Sequence, residues 1–246
     1  MSFEIWFFMN SKAFYIIFSF IIIISLVIIV LFAQSIIGPF NGINNGVKTG
    51  SSKNKDIFVT PAPDVEKTDR IPPLERKDPI IGNPEGEITI IEFADFECQY
   101  CAEAQKTLEE ILKIYPDKIR LVWKNYPLAF HSYSKKAAEA ALCANEQKKF
   151  SQMQNQLFEH QNISLLPKDI KEYAKDIGLD MDKFNTCFDG GLNEEAVSRD
   201  IAAARQFGVD SVPSFFIFRT NSDQGYFISW AATLNELKAT IDALLK

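Results

Sequence analysis

The sequence is poor in side chains that hold metals or meet nucleic acids. Among its 246 residues stand two histidines, His131 and His160, and four cysteines, Cys98, Cys101, Cys143 and Cys187. A structural zinc site needs four ligands at compatible spacing. Beyond the close pair Cys98 and Cys101, the other two cysteines stand alone and far apart, so no metal is expected. Positive charge is also short, with 26 Lys and Arg against 32 Asp and Glu and a net charge of −6. The basic residues are scattered and leave no footprint for nucleic acid. A third absence is local: from Ala13 to Phe40 there is no charge at all, and Ile16 to Phe32 is almost wholly Ile, Leu, Val and Phe.

A helix needs about 20 apolar residues to cross a bilayer core. Residues 13–37 are therefore read as a transmembrane anchor behind a short N-terminus, residues 1–12. The rival is a cleaved signal peptide with Phe32-Ala33-Gln34-Ser35 as its cleavage region. A signal core is usually about 7–15 residues, and the longer run favours the anchor. Lys12 lies nearer the span than Lys48, which suggests a cytoplasmic N-terminus and an extracytoplasmic remainder. Four cysteines in a membrane-attached chain also suit an oxidising compartment better than the cytosol. Residues 38–77 change character: Asn-Gly, Gly-Ser-Ser, Pro-Ala-Pro and Pro-Pro interrupt them and no apolar period survives. They read as a flexible linker to a folded domain over 78–246.

That domain is organised around Ile88-Thr-Ile-Ile-Glu-Phe-Ala-Asp-Phe-Glu-Cys-Gln-Tyr-Cys101. Ile88–Phe93 is a short apolar run that reads as a doubly buried strand. Leu108, Ile111, Leu112 and Tyr115 then mark a helical stripe. A C-x-x-C between a strand and a helix is a redox reading; half a zinc site or two buried thiols are the bland ones. Near a helix N-terminus, free N–H groups and the dipole favour a thiolate. Cys98 is thus expected to titrate within roughly 3.5–7.5, against about 8.5 for a free thiol.

A second strand, Lys118–Trp123, completes a βαβ unit with parallel strands. Helical signals fill about 133–208, with Pro167 opening one helix, Gly178 and Gly208 as stops and Asp180 as a cap. Ser214–Phe218 and Tyr226–Ile228 read as a hairpin. The final helix opens on the capping box Thr233-Leu-Asn-Glu236.

The order βαβ, helical block, ββα, together with Cys98-Gln-Tyr-Cys101 and Val212-Pro213 before a strand, resembles the DsbA-like thiol-disulfide oxidoreductases of the thioredoxin superfamily. The resemblance covers residues 78–246, and Asp78-Pro-Ile-Ile-Gly-Asn-Pro84 is similar to the usual entry of envelope-located members. It implies an α/β thioredoxin-like fold with an all-helical insertion, here preceded by one transmembrane helix. It implies Cys98 as the exposed nucleophile, Cys101 as the buried resolving thiol, Pro213 as a cis-proline facing them and Val212 as a backbone partner of the substrate. Glu92 matches the buried carboxylate position. Gln99 and Tyr100 replace the Pro-His of the best-known periplasmic oxidases, and that dipeptide helps set thiolate stability. Trp230-Ala231 stands where many relatives carry a glycine before the last helix.

Glu92 is conspicuous without any resemblance, since a carboxylate within an apolar strand is costly unless paired or protonated. Burial would raise its pKa and suit a proton acceptor for Cys101; a solvated strand end or a structural ion pair is the alternative. Cys143 and Cys187 fall on apolar helix faces and are read as a structural disulfide, ahead of a second redox pair or two buried thiols. His131, just after the second strand, has two readings: a residue near the active face, or, ahead of it, a plain loop histidine. The expected function is extracytoplasmic disulfide donation to secreted or envelope proteins through the Cys98–Cys101 disulfide, with no other cofactor. The expected partners are protein thiols and a membrane protein that re-oxidises the pair. Reductase or isomerase activity, or a tethered chaperone without enzymatic activity, are the alternatives.

Overall fold

The computed structural model describes residues 21–25, 27–28 and 65–246. Residues 1–12, most of the anchor expected over 13–37 and the linker as far as residue 64 lie outside the described residues. Residues 21–25 and 27–28 are helical, and no helix among the described residues is long and apolar enough to cross a membrane.

Six strands form one sheet in the order β1-β6-β5-β3-β4-β2. They are β1 (Val65–Thr68), β2 (Ile80–Gly82), β3 (Ile88–Ala94), β4 (Ile119–Asn125), β5 (Ser214–Arg219) and β6 (Gly225–Ser229). The helices are α1 (Gln99–Ile114), α2 (Ser134–Glu146), α3 (Phe150–His160), α4 (Pro167–Asp176), α5 (Met181–Asp189), α6 (Glu194–Gln206) and α7 (Leu234–Leu244). β3 lies between β4, with which it is parallel, and β5, with which it is antiparallel. Every residue of β3 is buried, which is why its sequence shows no alternation.

The two faces of β3 build two cores. Ile88 and Ile90 pack with Leu108 and Ile111 of α1, Phe215 and Ile217 of β5, and Leu237 and Ile241 of α7. Ile91 and Phe93 face the other way, onto Val122, Phe216, Phe218 and Ala204 of α6. A third core fills the helical block, where Met153, Leu157, Phe184 and Val197 are buried, and it reaches Trp123, Phe96 and the C-x-x-C. Each such buried side chain is worth about 1.5–3 kcal/mol of transfer free energy.

Local signals in the sequence have direct counterparts. Pro167 occupies the first turn of α4, Asp180 caps α5 by accepting from the Lys183 amide, and Thr233 and Glu236 form the capping box of α7. Gly178 and Gly208 end helices at φ +71° and +80°.

Two boundaries differ from expectation. Among the described residues the sheet takes in Val65–Thr68, ahead of the expected start at Asp78: read as linker, they pair with β6 as an edge strand. An edge strand is held by backbone hydrogen bonds and needs little apolar pattern; Val65 alone packs on the core. Ile80–Gly82 likewise adds β2 to the far edge, antiparallel to β4. Asp78 anchors this entry. With Asp200 of α6 it holds the buried Lys124, at 2.8 and 3.2 Å, and burial raises the pKa of both carboxyls.

Candidate functional site

The site forms where β3 ends and α1 begins. Cys98 is the N-cap residue of α1, in extended backbone, and no side chain caps this helix. The Tyr100 and Cys101 amides of the first turn act on the Cys98 sulfur, although the Cys101 amide also donates to the Cys98 carbonyl at 3.1 Å. Both cysteines are free thiols. The pKa of Cys98 is lowered to about 6, first by the hydrogen bond from the Cys101 thiol and then by the Cys101 and Tyr100 amides, against burial and the nearby Asp95. The helix start thus contributes as expected, but the partner thiol contributes more. Burial pushes the Cys101 thiol strongly upward, and the hydrogen bond to Cys98 adds to it. One sulfur is poised as a thiolate and the other stays protonated.

Cys98 is less open than the resemblance implies, at 7% exposure. The reason is the segment before β5. The Val212–Pro213 bond is cis, and the Val212 carbonyl accepts from the Cys98 Sγ at 3.7 Å. The described pockets lie elsewhere: one of about 470 Å³ along the β1–β6 edge, lined by Lys67, Tyr226 and Leu244, and one of about 330 Å³ beside Asp78 and Asp200. Neither is lined by the cysteines.

Beneath the pair, Glu92 is fully buried between Trp123 of β4 and Phe215 of β5 in the sheet register. Burial raises its pKa to about 8, opposed by a hydrogen bond from Gln105. Gln105 Nε2 donates to Glu92 Oε1 at 2.9 Å and to the Cys101 carbonyl at 3.4 Å, so it bridges the carboxyl and the inner cysteine. Gln154 of α3 donates in turn to Gln105. Glu92 Oε2 has no partner among the described residues. Among the described residues the carboxyl is in no ion pair, it is not at a solvated strand end, and burial favours its neutral form.

Other residues around the cysteines had not been assigned any part from the sequence. Asp95 closes β3, and its amide donates to the Cys101 Sγ at 3.4 Å. Its carboxylate accepts from the Glu97 amide at 2.8 Å, the Leu128 amide at 2.7 Å, His131 Nδ1 at 2.8 Å and the Ser134 hydroxyl. His131 lies in a loop, and this contact ties it to the active face, the other of its two readings. Glu97 accepts from the Tyr133 and Ser134 amides, both at 2.6 Å, at the start of α2, where a helix N-terminus favours an anion. The Gln161 amide, turned to satisfy both, donates to the Phe96 and Cys98 carbonyls. Nothing local in the sequence marks these partners; only the position of Asp95 and Glu97 beside the C-x-x-C singles them out. Cys143 and Cys187 are joined in a disulfide within the helical block, and Asn193 Nδ2 donates to both sulfurs.

Comparison with known proteins agrees with this architecture. Residues 75–243 match the family model described as Thioredoxin. Crystal structures of DsbA2 from Pseudomonas aeruginosa and of alpha-DsbA1 from Wolbachia pipientis share the fold. The first has a TM-score of 0.57 at 26% identity, covering 67% of this chain and 92% of the other. The second has a TM-score of 0.61 at 23% identity, covering 71% and 93%. Among curated proteins, the Na(+)/H(+) antiporter NhaA 3 of Salinispora tropica is 37% identical over 142 residues, 57% of this chain but 22% of the antiporter. The chain thus spans about a fifth of the length of the curated relatives it matches.

Proposed function

The chain belongs to the thioredoxin family, and on that premise we propose that it is a DsbA-like thiol-disulfide oxidoreductase working through Cys98 and Cys101. The observation that carries this reading is the division of labour between the two sulfurs. Cys98 titrates at about 6, while burial keeps Cys101 a thiol.

The oxidised pair would donate its disulfide to a protein dithiol. A substrate thiolate attacks the Cys98 sulfur, the Cys98–Cys101 bond breaks, and Cys101 leaves with the electron pair. Glu92, whose carboxyl holds a proton below about pH 8 and whose charge acts on Cys101, would supply the proton for that leaving thiolate. A second substrate thiolate then attacks the substrate sulfur of the mixed disulfide and releases Cys98 as a thiolate. Two electrons pass to the protein pair, and one proton ends on Cys101. Val212 offers its carbonyl to the substrate backbone, with the cis Pro213 holding it over Cys98. A low leaving-group pKa favours this direction. Gln99 and Tyr100 form the start of α1 between the cysteines.

Re-oxidation is assigned to a membrane redox protein, and the location to the extracytoplasmic side of the cell membrane, with residues 13–37 as the single-pass anchor. This reading is supported by the uncharged run from Ala13 to Phe40 and by the Cys143–Cys187 disulfide, a bond typical of oxidising compartments. The antiporter activity in the names of the curated relatives is not carried over. A binding or chaperone module would need neither free thiol. An insulin-type disulfide-exchange assay decides: Cys98→Ser is expected to abolish exchange while leaving the fold intact. Exchange persisting at the wild-type rate in that variant would refute the proposal.

A further inference from the structure

Trp230 links β6 to α7 with φ +78°. An L side chain is strained in that region and glycine is not, so tryptophan is a costly choice there. The cost is not offset by burial in the core, since the side chain is 56% exposed. Its ring instead lies 5.7 Å from that of Tyr100, tilted by 40°, and Tyr100 is itself 49% exposed. Tyr100 immediately precedes Cys101 in the C-x-x-C. On the other side, Ser229 pairs with Ser214 in the β5–β6 ladder, so the chain leaves β6 at Trp230 next to the cis Val212–Pro213 segment that covers Cys98. Two large, partly exposed rings therefore stand together beside the reacting sulfur, one of them held there by a strained backbone.

We propose that Trp230, paired with Tyr100, is a specificity-determining residue: the two rings form an aromatic shelf for a bulky apolar side chain next to the reacting cysteine of a polypeptide substrate. This rests on the oxidoreductase reading of the same site. Flat rings pack against aromatic and large aliphatic groups through dispersion and edge-to-face contact, and they give a glycine or serine neighbour nothing to bind. Trp230 does not touch the reacting atoms. It sorts polypeptides by what flanks their cysteine, and it leaves the sulfur chemistry to Cys98.

The test uses the reduced full chain and two peptides, each with one cysteine activated as its 2-thiopyridyl disulfide, flanked by Trp in one and by Gly in the other. The Cys98 thiolate attacks the peptide sulfur and pyridine-2-thione leaves with the electron pair. Cys101 then displaces the peptide thiolate, closing the Cys98–Cys101 disulfide; the activated peptide is the oxidant. The rate of thione release is read for wild type, Trp230→Gly, which relieves the strain, and Trp230→Asn, which tolerates a positive φ. Wild type is expected to prefer the Trp peptide by about tenfold, the scale set by one apolar contact in a binding site. Both variants are expected to lose that preference and to keep the Gly-peptide rate within about twofold. A preference that survives in both variants overturns the proposal, as does an equal slowing of both peptides. If wild type reacts with neither peptide faster than free cysteine does, the oxidoreductase reading itself falls.

Discussion

Cys98 and Glu92 titrate in opposite senses, and each ties stability to pH in its own way. The Cys98 pKa is depressed to about 6, so in the reduced protein its contribution is present above the unfolded thiol value and is lost as pH falls through 6. At pH 7 this favours the folded dithiol by about 1.4 kcal/mol, or about 30 mV toward a more oxidising pair. Glu92 runs the other way. Its folded pKa is raised to about 8, so its contribution is complete below the unfolded carboxyl value of about 4.5 and disappears as pH rises to 8, by up to about 5 kcal/mol. Glu92→Gln keeps the shape and the neutral state. Urea unfolding of the oxidised proteins, in which neither Cys98 nor Cys101 titrates, is expected to show wild type losing several kcal/mol relative to Glu92→Gln between pH 5 and 9. Parallel pH curves would mean that Glu92 is not a buried acid. The anomaly of Glu92 was legible because a carboxylate stands out inside Ile88–Phe93. The part of Gln105 was not, because it meets its partners across elements and no local pattern marks it; for His131 a place near the active face was legible but its partner Asp95 was not.

At the scale of elements, the sequence reads best where one segment carries its own signal. β3 announces itself by unbroken apolar character and α1 by its stripe, and the caps at Pro167, Asp180 and Thr233 each act within a few residues. The edge strands β1 and β2 escaped because Val65-Glu-Lys-Thr68 and Ile80–Gly82 are short and owe their state to a partner strand far away in sequence. The disulfide stands between these cases: two cysteines on apolar faces suggest it, and only the packing of α2 against α5 brings them together. It closes 44 residues of chain, which the chain-entropy relation values at about 4 kcal/mol. Replacing both Cys143 and Cys187 by Ala is therefore expected to lower stability by about 2–5 kcal/mol in chemical unfolding. The Cys98–Cys101 exchange rate should be unchanged at temperatures where the variant stays folded. Unchanged stability, or free thiols at these positions in protein isolated without reductant, would contradict the structural role.

The whole molecule combines an uncharged N-terminal run, a stretch without apolar period and a thioredoxin-family domain that shifts Cys98 toward the thiolate and keeps the buried Cys101 a thiol. If the domain lies outside the cell membrane, as proposed from the run over 13–37, a protease added to intact cells or spheroplasts should cut within residues 41–64 and release an active domain. Complete protection until the membrane is permeabilised would place it on the other side. The fold order βαβ, helices, ββα could be read from the sequence because each unit is contiguous in the chain. The covering of Cys98 could not, because it depends on Val212, which comes 114 residues later. The account rests on Cys98 being a thiolate near neutral pH, and the pH dependence of its alkylation tests that most directly. With the reduced full chain and iodoacetamide followed by peptide mass analysis, Cys98 should be labelled along a single titration centred at about 6, and Cys101 should stay unlabelled up to pH 9. A Cys98 midpoint at or above about 8.5, the value of an unperturbed thiol, would contradict it.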